Sequence, residues 1–192
     1  MNNHKKGIIL LSKIISKIEP EINFLDIGFG FGGDSLFMAK KGFKVTAIDR
    51  SKAMVEKLNQ KIKEDNISGL KVICGDITDF KIVKNKYSVI NAKNVFQFLN
   101  KKIAIEIISN LKNKLKDNGY ILISCFTVKD PLFKDSKNKY NCYFKPKELK
   151  NIFIDWKIIY YQEKTINDKP HYGYNRPHKH HIVQLIAQKC QT

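Results

Sequence analysis

Residues 24–37 read FLDIGFGFGGDSLF, an apolar run, a turn containing Gly28, Gly30, Gly32 and Gly33, and the opening of a helix. A glycine turn between a strand and a helix lets the backbone approach a ligand at the carboxyl edge of an open α/β sheet. Working outward, apolar runs predict strands over 22–27, 43–48, 70–74, 87–92 and 119–126. Between them, helical patterns are predicted over 32–41, 51–65 and 101–116. Strands separated by helices of this length imply βαβ units, hence a parallel sheet covered on both faces. Beyond 128 the character changes. A polar stretch over 129–141 leads into a short helix near 145–153, and DWKIIYYQEKTI and HHIVQLIAQ then flank a Gly/Pro/His loop as an antiparallel pair.

The first residues, MNNHKKGIILLSKIISKIEPE, resemble a basic leader followed by an apolar stretch. Lys13 and Lys17 interrupt that stretch, and Ile8, Leu11, Ile14, Ile15 and Ile18 recur at helical spacing, so an amphipathic helix packed on the sheet is expected. No apolar run reaches the roughly 20 residues of a membrane helix. Cys74, Cys125, Cys142 and Cys190 are scattered without a C-x-x-C pair, which fits a reducing cytoplasm and suggests neither zinc nor a disulfide framework. The formal charge of +17 invites a nucleic-acid reading. Arg50 and Arg176 are the only arginines, however, and the lysines spread along the whole chain in company with abundant asparagine and isoleucine. Compositional drift of surface positions accounts for that pattern better than a nucleic-acid footprint does.

Gly28, Gly30 and Gly33 satisfy the G-x-G-x-x-G pattern of dinucleotide binders, while Gly28, Gly30 and Gly32 satisfy the G-x-G-x-G turn of S-adenosylmethionine (SAM) binders. Asp26 separates the two. A dinucleotide sets its pyrophosphate against this turn, where a carboxylate would face like charge; SAM instead brings a sulfonium and an ammonium. Asp49, closing the second strand, can accept both ribose hydroxyls, or else cap the helix that follows. Asp76, in GDI after the third strand, can accept from the adenine amino group, with Ile77 against the ring.

The segments FLDIGFGFGGDSLFMAKKGFKVTAID, GDI and GYILISCF resemble the class I SAM-dependent methyltransferases over nearly the whole chain. More narrowly, Asp34-Ser35-Leu36 opening the helix, FKPKELKNIF, Trp156 and a terminal hairpin bearing His171, Arg176 and His181 are similar to the tellurite-resistance (TehB-like) group. The resemblance implies a Rossmann-like, seven-stranded, mostly parallel sheet with helices on both faces and a C-terminal antiparallel hairpin. It implies one domain over 1–192, with an N-terminal helix over 1–20, a SAM-binding core over 21–128, and a helix plus terminal hairpin over 129–192. Cofactor contacts are expected from Asp26, Gly28, Phe29, Gly30, Asp49, Arg50, Met54, Asp76, Ile77 and Asn94. Phe29 stands where many relatives carry a cysteine, a change of packing only. Relatives also close an N-terminal segment over SAM, a task that falls here to Met1–Lys6 or another loop.

Methyl transfer is an in-line displacement at an activated carbon, so the site has mainly to align acceptor, methyl and sulfur and keep them dry, leaving S-adenosylhomocysteine. Asn94, Tyr143 and the cluster KPHYGYNRPHKHH are available to meet an acceptor. Within that cluster His171, Arg176 and His181 are the expected catalytic set, and His180 and His181 must point to opposite faces of a strand. No carboxylate or cysteine spacing in the loop completes a metal site, and none is expected. NAKNVF after the fourth strand lacks the N-P-P-aromatic signature of adenine amino methyltransferases, which favours a small acceptor; tellurite or selenite is the acceptor that the resemblance to the TehB-like group implies. The alternatives are an RNA methyltransferase, a SAM-binding module without turnover, and an NAD-binding domain. Nothing in the chain signals an oligomeric state.

Overall fold

The computed structural model describes residues 11–17, 22–135, 140–169 and 175–191. Met1–Lys6 and His171 therefore lie outside the described residues. Five parallel strands form first: β1 (Asn23–Ile27), β2 (Lys44–Asp49), β3 (Leu70–Cys74), β4 (Val89–Lys93) and β5 (Tyr120–Phe126). Helices α1 (Gly33–Lys40), α2 (Lys52–Glu64) and α3 (Lys101–Lys114) connect them. A short α4 (Glu148–Ile152) precedes the antiparallel pair β6 (Lys157–Asp168) and β7 (His178–Gln188). β7 docks antiparallel on β5, giving one seven-stranded sheet of order β3-β2-β1-β4-β5-β7-β6. This is the mostly parallel Rossmann-like sheet with a terminal hairpin that the sequence predicts, with strand ends displaced by a residue or two.

The elements form where the patterns place them because each buries one side. In α3, Ala104, Ile107, Ile108 and Leu111 recur at helical spacing and are buried against Ile90, Ile121, Ile123 and Val183. Asn100 caps that helix by accepting the Lys102 N–H at 2.9 Å. On the opposite face, Met38 and Ala39 of α1 meet Phe24, Val45, Leu122 and Ile186. Leu11 and Ile14, in a helical turn over 11–15, join this second layer and are fully buried. Strands β1, β4 and β5 are buried almost throughout, as sheet covered on both faces must be. Their order reverses between β1 and β4, and a crevice opens above their carboxyl ends at that point. Among the described residues no helix is long and apolar enough to cross a membrane.

Candidate functional site: a two-lobed cleft over the glycine turn

Two adjoining hollows lie above the switch point and share Gly28, Gly30 and Asn94. The first, of about 260 Å³, is bounded by Ile48, Asp49, Arg50, Asp76, Ile77, Val95, Phe98 and Leu99. The second is bounded by Asp26, Phe29, Phe31, Gly33, Asp34, Asn91 and Lys93. Gly28 has φ +65°, and a Cβ there would stand 2.7 Å from Val95 Cγ2, so the turn can pass under Val95 only as glycine. Gly30 has φ +55° and nothing within 4 Å of a Cβ position, so its bare backbone faces open space.

In the first lobe, Asp49 braces the turn. Its Oδ2 accepts the Gly30 N–H and its Oδ1 the Ser51 N–H, both at 2.9 Å. The N-cap of α2 is Ser51, whose Oγ accepts the Met54 N–H at 3.4 Å, so Asp49 is not itself the cap. Each carboxylate oxygen carries two lone pairs, and one backbone donor apiece leaves capacity for a ligand's hydroxyls. Asp76 Oδ1 accepts from the Thr78 N–H and hydroxyl, both at 2.9 Å, which fixes the turn after β3. The Arg50 guanidinium lies 5.8 Å from the Phe98 ring centre.

The second lobe is charged. Asp26 is 3% exposed and is paired in register with Asn91 of β4, whose Nδ2 donates to Asp26 Oδ1 at 2.8 Å and to Asp34 Oδ2 at 3.0 Å. Ser35 Oγ donates to Asp26 Oδ2 at 2.5 Å, and Lys93 forms an ion pair with Asp34. Burial, followed by the neighbouring Asp34 charge, raises the Asp26 carboxyl to about 6 against the opposing Ser35 bond, Lys93 charge and Asn91 bond. Asn91 Oδ1 is buried without a hydrogen-bond partner. Two carboxylates, one ammonium and an unpartnered amide oxygen make a lobe suited to a zwitterion that adds a further positive charge.

An aromatic wall runs from the first lobe toward the hairpin. Phe98 packs against Tyr140 with ring centres 5.1 Å apart, Tyr140 stands edge-on to Phe126 at 4.9 Å, and Phe126 stacks on His180 at 4.4 Å. His181 points to the other face of β7, half-buried, with Nδ1 2.6 Å from Thr127 Oγ1. Arg176 is exposed at the start of the returning strand.

The family model described as tellurite resistance protein TehB matches residues 8–171, most of the chain. This chain belongs to the TehB family. A probable SAM-dependent methyltransferase TehB of Haemophilus influenzae is 30% identical over 148 residues, which cover 77% of this chain and 50% of that protein. The crystal structure of TehB from Haemophilus influenzae superposes with a TM-score of 0.80 at 27% identity, covering 96% of this chain and 62% of the other. The chain thus spans about half the length of the curated TehB relatives it matches. A magnesium protoporphyrin IX methyltransferase from Synechocystis with bound SAH shares the fold, with a TM-score of 0.73 at 17% identity over 97% of this chain and 83% of that one.

Of the residues the sequence singles out in this member of the TehB family, the fold gathers Asp26, Gly28, Phe29, Gly30, Asp49, Arg50, Asp76, Ile77 and Asn94 around the two lobes. Met54 packs instead with Phe29, Ala47 and Leu58. Sequence reasoning passed over Asp34 and Lys93 as site residues, and Phe98 and Asn91 with them. Asp34 and Lys93 were visible as charges beside expected site positions, whereas Phe98 enters from a 3-10 turn (Phe96–Phe98) with no motif of its own.

Proposed function

We propose that this chain transfers a methyl group from SAM to a small-molecule acceptor. The observation that carries the reading is the division of chemistry between the lobes: an apolar lobe edged by Asp49 and Asp76, and a lobe holding Asp26, Asp34 and Lys93. SAM divides the same way, into adenosine and a cationic amino-acid half, whereas a dinucleotide would bring its pyrophosphate against Asp26 and Asp34. When bound, SAM supplies a methyl on a sulfonium, open to in-line displacement. The chain's residues hold and shield. Asp49, braced by two N–H groups, accepts ribose hydroxyls. Ile77, Phe98 and Leu99 flank the base. Lys93 meets the carboxylate of the cofactor's amino-acid half, and Asp26 with Asp34 meets its positive charges.

For the acceptor, the proposal is an oxyanion of the tellurite or selenite type held by His171, Arg176 and His181, with S-adenosylhomocysteine as the second product. The family and the basic, histidine-bearing hairpin support this choice. The same reading takes the chain as one catalytic unit built on its continuous sheet, working in a reducing cytoplasm that matches its free cysteines. Calorimetric titration with S-adenosylhomocysteine and with NAD, on the native chain and on Asp49→Ala, tests the cofactor. Micromolar S-adenosylhomocysteine binding that weakens at least tenfold in the variant, without an NAD response, is expected; NAD binding overturns the reading. A screen of tellurite, selenite and small thiols then tests the acceptor. Arg176→Ala should raise KM for the acceptor while leaving S-adenosylhomocysteine affinity unchanged.

A further inference from the structure

The register of the terminal hairpin sets three ligand-type side chains together at the end where its two strands are connected. Asp168 on β6 is the cross-strand partner of His178 on β7, and His180 lies two residues further along the same face. One ligand atom from each lies within 4.8 Å of the others. None of the three belongs to the acceptor set proposed above. The carboxylate missing from the histidine loop in sequence thus arrives from the opposite strand.

The surroundings define which ring nitrogens carry protons. His180 is buried, and its Nδ1 lies 3.0 Å from Oδ2 of the buried Asp130. His178 Nδ1 lies 3.0 Å from the carbonyl oxygen of Arg176. Carboxylate and carbonyl oxygens accept, so these partners assign the proton of each neutral ring to Nδ1 and its lone pair to Nε2. The two Nε2 atoms then face each other at 2.9 Å. Two lone pairs at that separation repel unless a positive centre joins them.

We propose that Asp168, His178 and His180 form a binding site for a divalent transition-metal ion of the zinc class. Two imidazoles and a carboxylate are the donors such an ion prefers, and three protein ligands leave a fourth position to water or an anion. Nitrogens bound tetrahedrally at about 2.0–2.1 Å stand roughly 3.3 Å apart, so the observed pair has to open by only a few tenths of an ångström. His178, the more exposed ring, can make that shift. The Asp130–His180 contact is the carboxylate-to-imidazole support that fixes the orientation of a metal-bound histidine. Stacking of His180 on Phe126, with the planes 18° apart, holds the ring from the side. Through Phe126, Tyr140 and Phe98 the site is packed against the wall of the cofactor cleft.

The test uses the full chain without an affinity tag, stripped with a chelator and titrated with Zn²⁺, and with Co²⁺ as a spectroscopic probe. One equivalent should bind, with a tetrahedral-type Co²⁺ spectrum and shifts of the His178 and His180 imidazole nitrogens in ¹⁵N NMR. His178→Ala and Asp168→Asn, each shown to be folded by circular dichroism, should weaken binding by about tenfold or more. Failure to bind one equivalent overturns the proposal. So does binding unchanged in both variants, or an NMR spectrum in which a proton shared between the two Nε2 atoms persists when Zn²⁺ is added. Because S-adenosylhomocysteine titration reports on the glycine-turn cleft separately, failure here is distinguishable from failure of the methyltransferase reading.

Discussion

Asp26 illustrates how one residue can trade stability for binding. Its carboxyl is raised to about 6 chiefly by burial, with the Asp34 charge next, whereas the unfolded chain titrates near 3.8. Between roughly pH 4 and 6 the native state binds more protons than the unfolded one, so stability from this group falls as pH rises through that window. A shift of this size corresponds to about 3 kcal/mol. Asp26→Asn should therefore gain about 1–3 kcal/mol at pH 7.5 and lose the decline between pH 4 and 6, measured by denaturant melts across pH. The geometry tolerates the change, since Oδ1 can still accept from Asn91 and the new amide can donate to the Ser35 hydroxyl, which reverses its role. Affinity for S-adenosylhomocysteine should fall at least tenfold in the same variant.

At the scale of the element, the strand–turn–helix unit from β1 into α1 makes two glycines separable. Gly28→Ala forces a Cβ to within 2.7 Å of Val95 at a left-handed φ, and should destabilise the fold by about 1–3 kcal/mol as well as abolish binding. Gly30→Ala meets no protein atom within 4 Å, so its folding cost should be limited to about 1 kcal/mol of backbone strain. Its methyl would enter the cleft and reduce cofactor affinity out of proportion to that cost. Thermal melts paired with titrations distinguish the two outcomes. The glycines and the acids at the carboxyl ends of β1, β2 and β3 were legible in the sequence because strand ends follow from hydrophobic runs. The charged second lobe was less so. Asn91 reaches Asp26 because β4 is the register neighbour of β1, although 65 residues separate them in the chain.

Across the whole molecule, Asp130 ties the segment after β5 to the terminal hairpin. It accepts from the His180 ring at 3.0 Å, the His181 N–H at 2.8 Å and the Leu132 N–H at 2.9 Å, and it is buried. Asp130→Ala would leave three donors facing an apolar space, at a cost of about 3–5 kcal/mol, with hydrogen exchange accelerated first at the start of β7. In sequence Asp130 was one residue of the polar stretch over 129–141, with no motif to single it out. The net charge of +17 also acts at this scale. Lysines spread along the whole chain should confer only non-specific RNA affinity, with dissociation constants no tighter than about 10⁻⁴–10⁻⁶ M at physiological salt, measured by fluorescence anisotropy. Tighter binding would favour RNA as the acceptor.

Taken by itself, the sequence determined the alternation of strands and helices, the glycine turn and the acids at the carboxyl ends of three successive strands. Those features are written in local periodicity and in residue types whose conformational or electrostatic demands hold wherever they occur. The tertiary structure decided which side chains share a space: Asp26 with Asn91, Asp34 and Lys93, and Asp168 with His178 and His180. Those groupings depend on strand order and register, which are selected by the burial of whole faces at once. No short stretch of sequence carries that information.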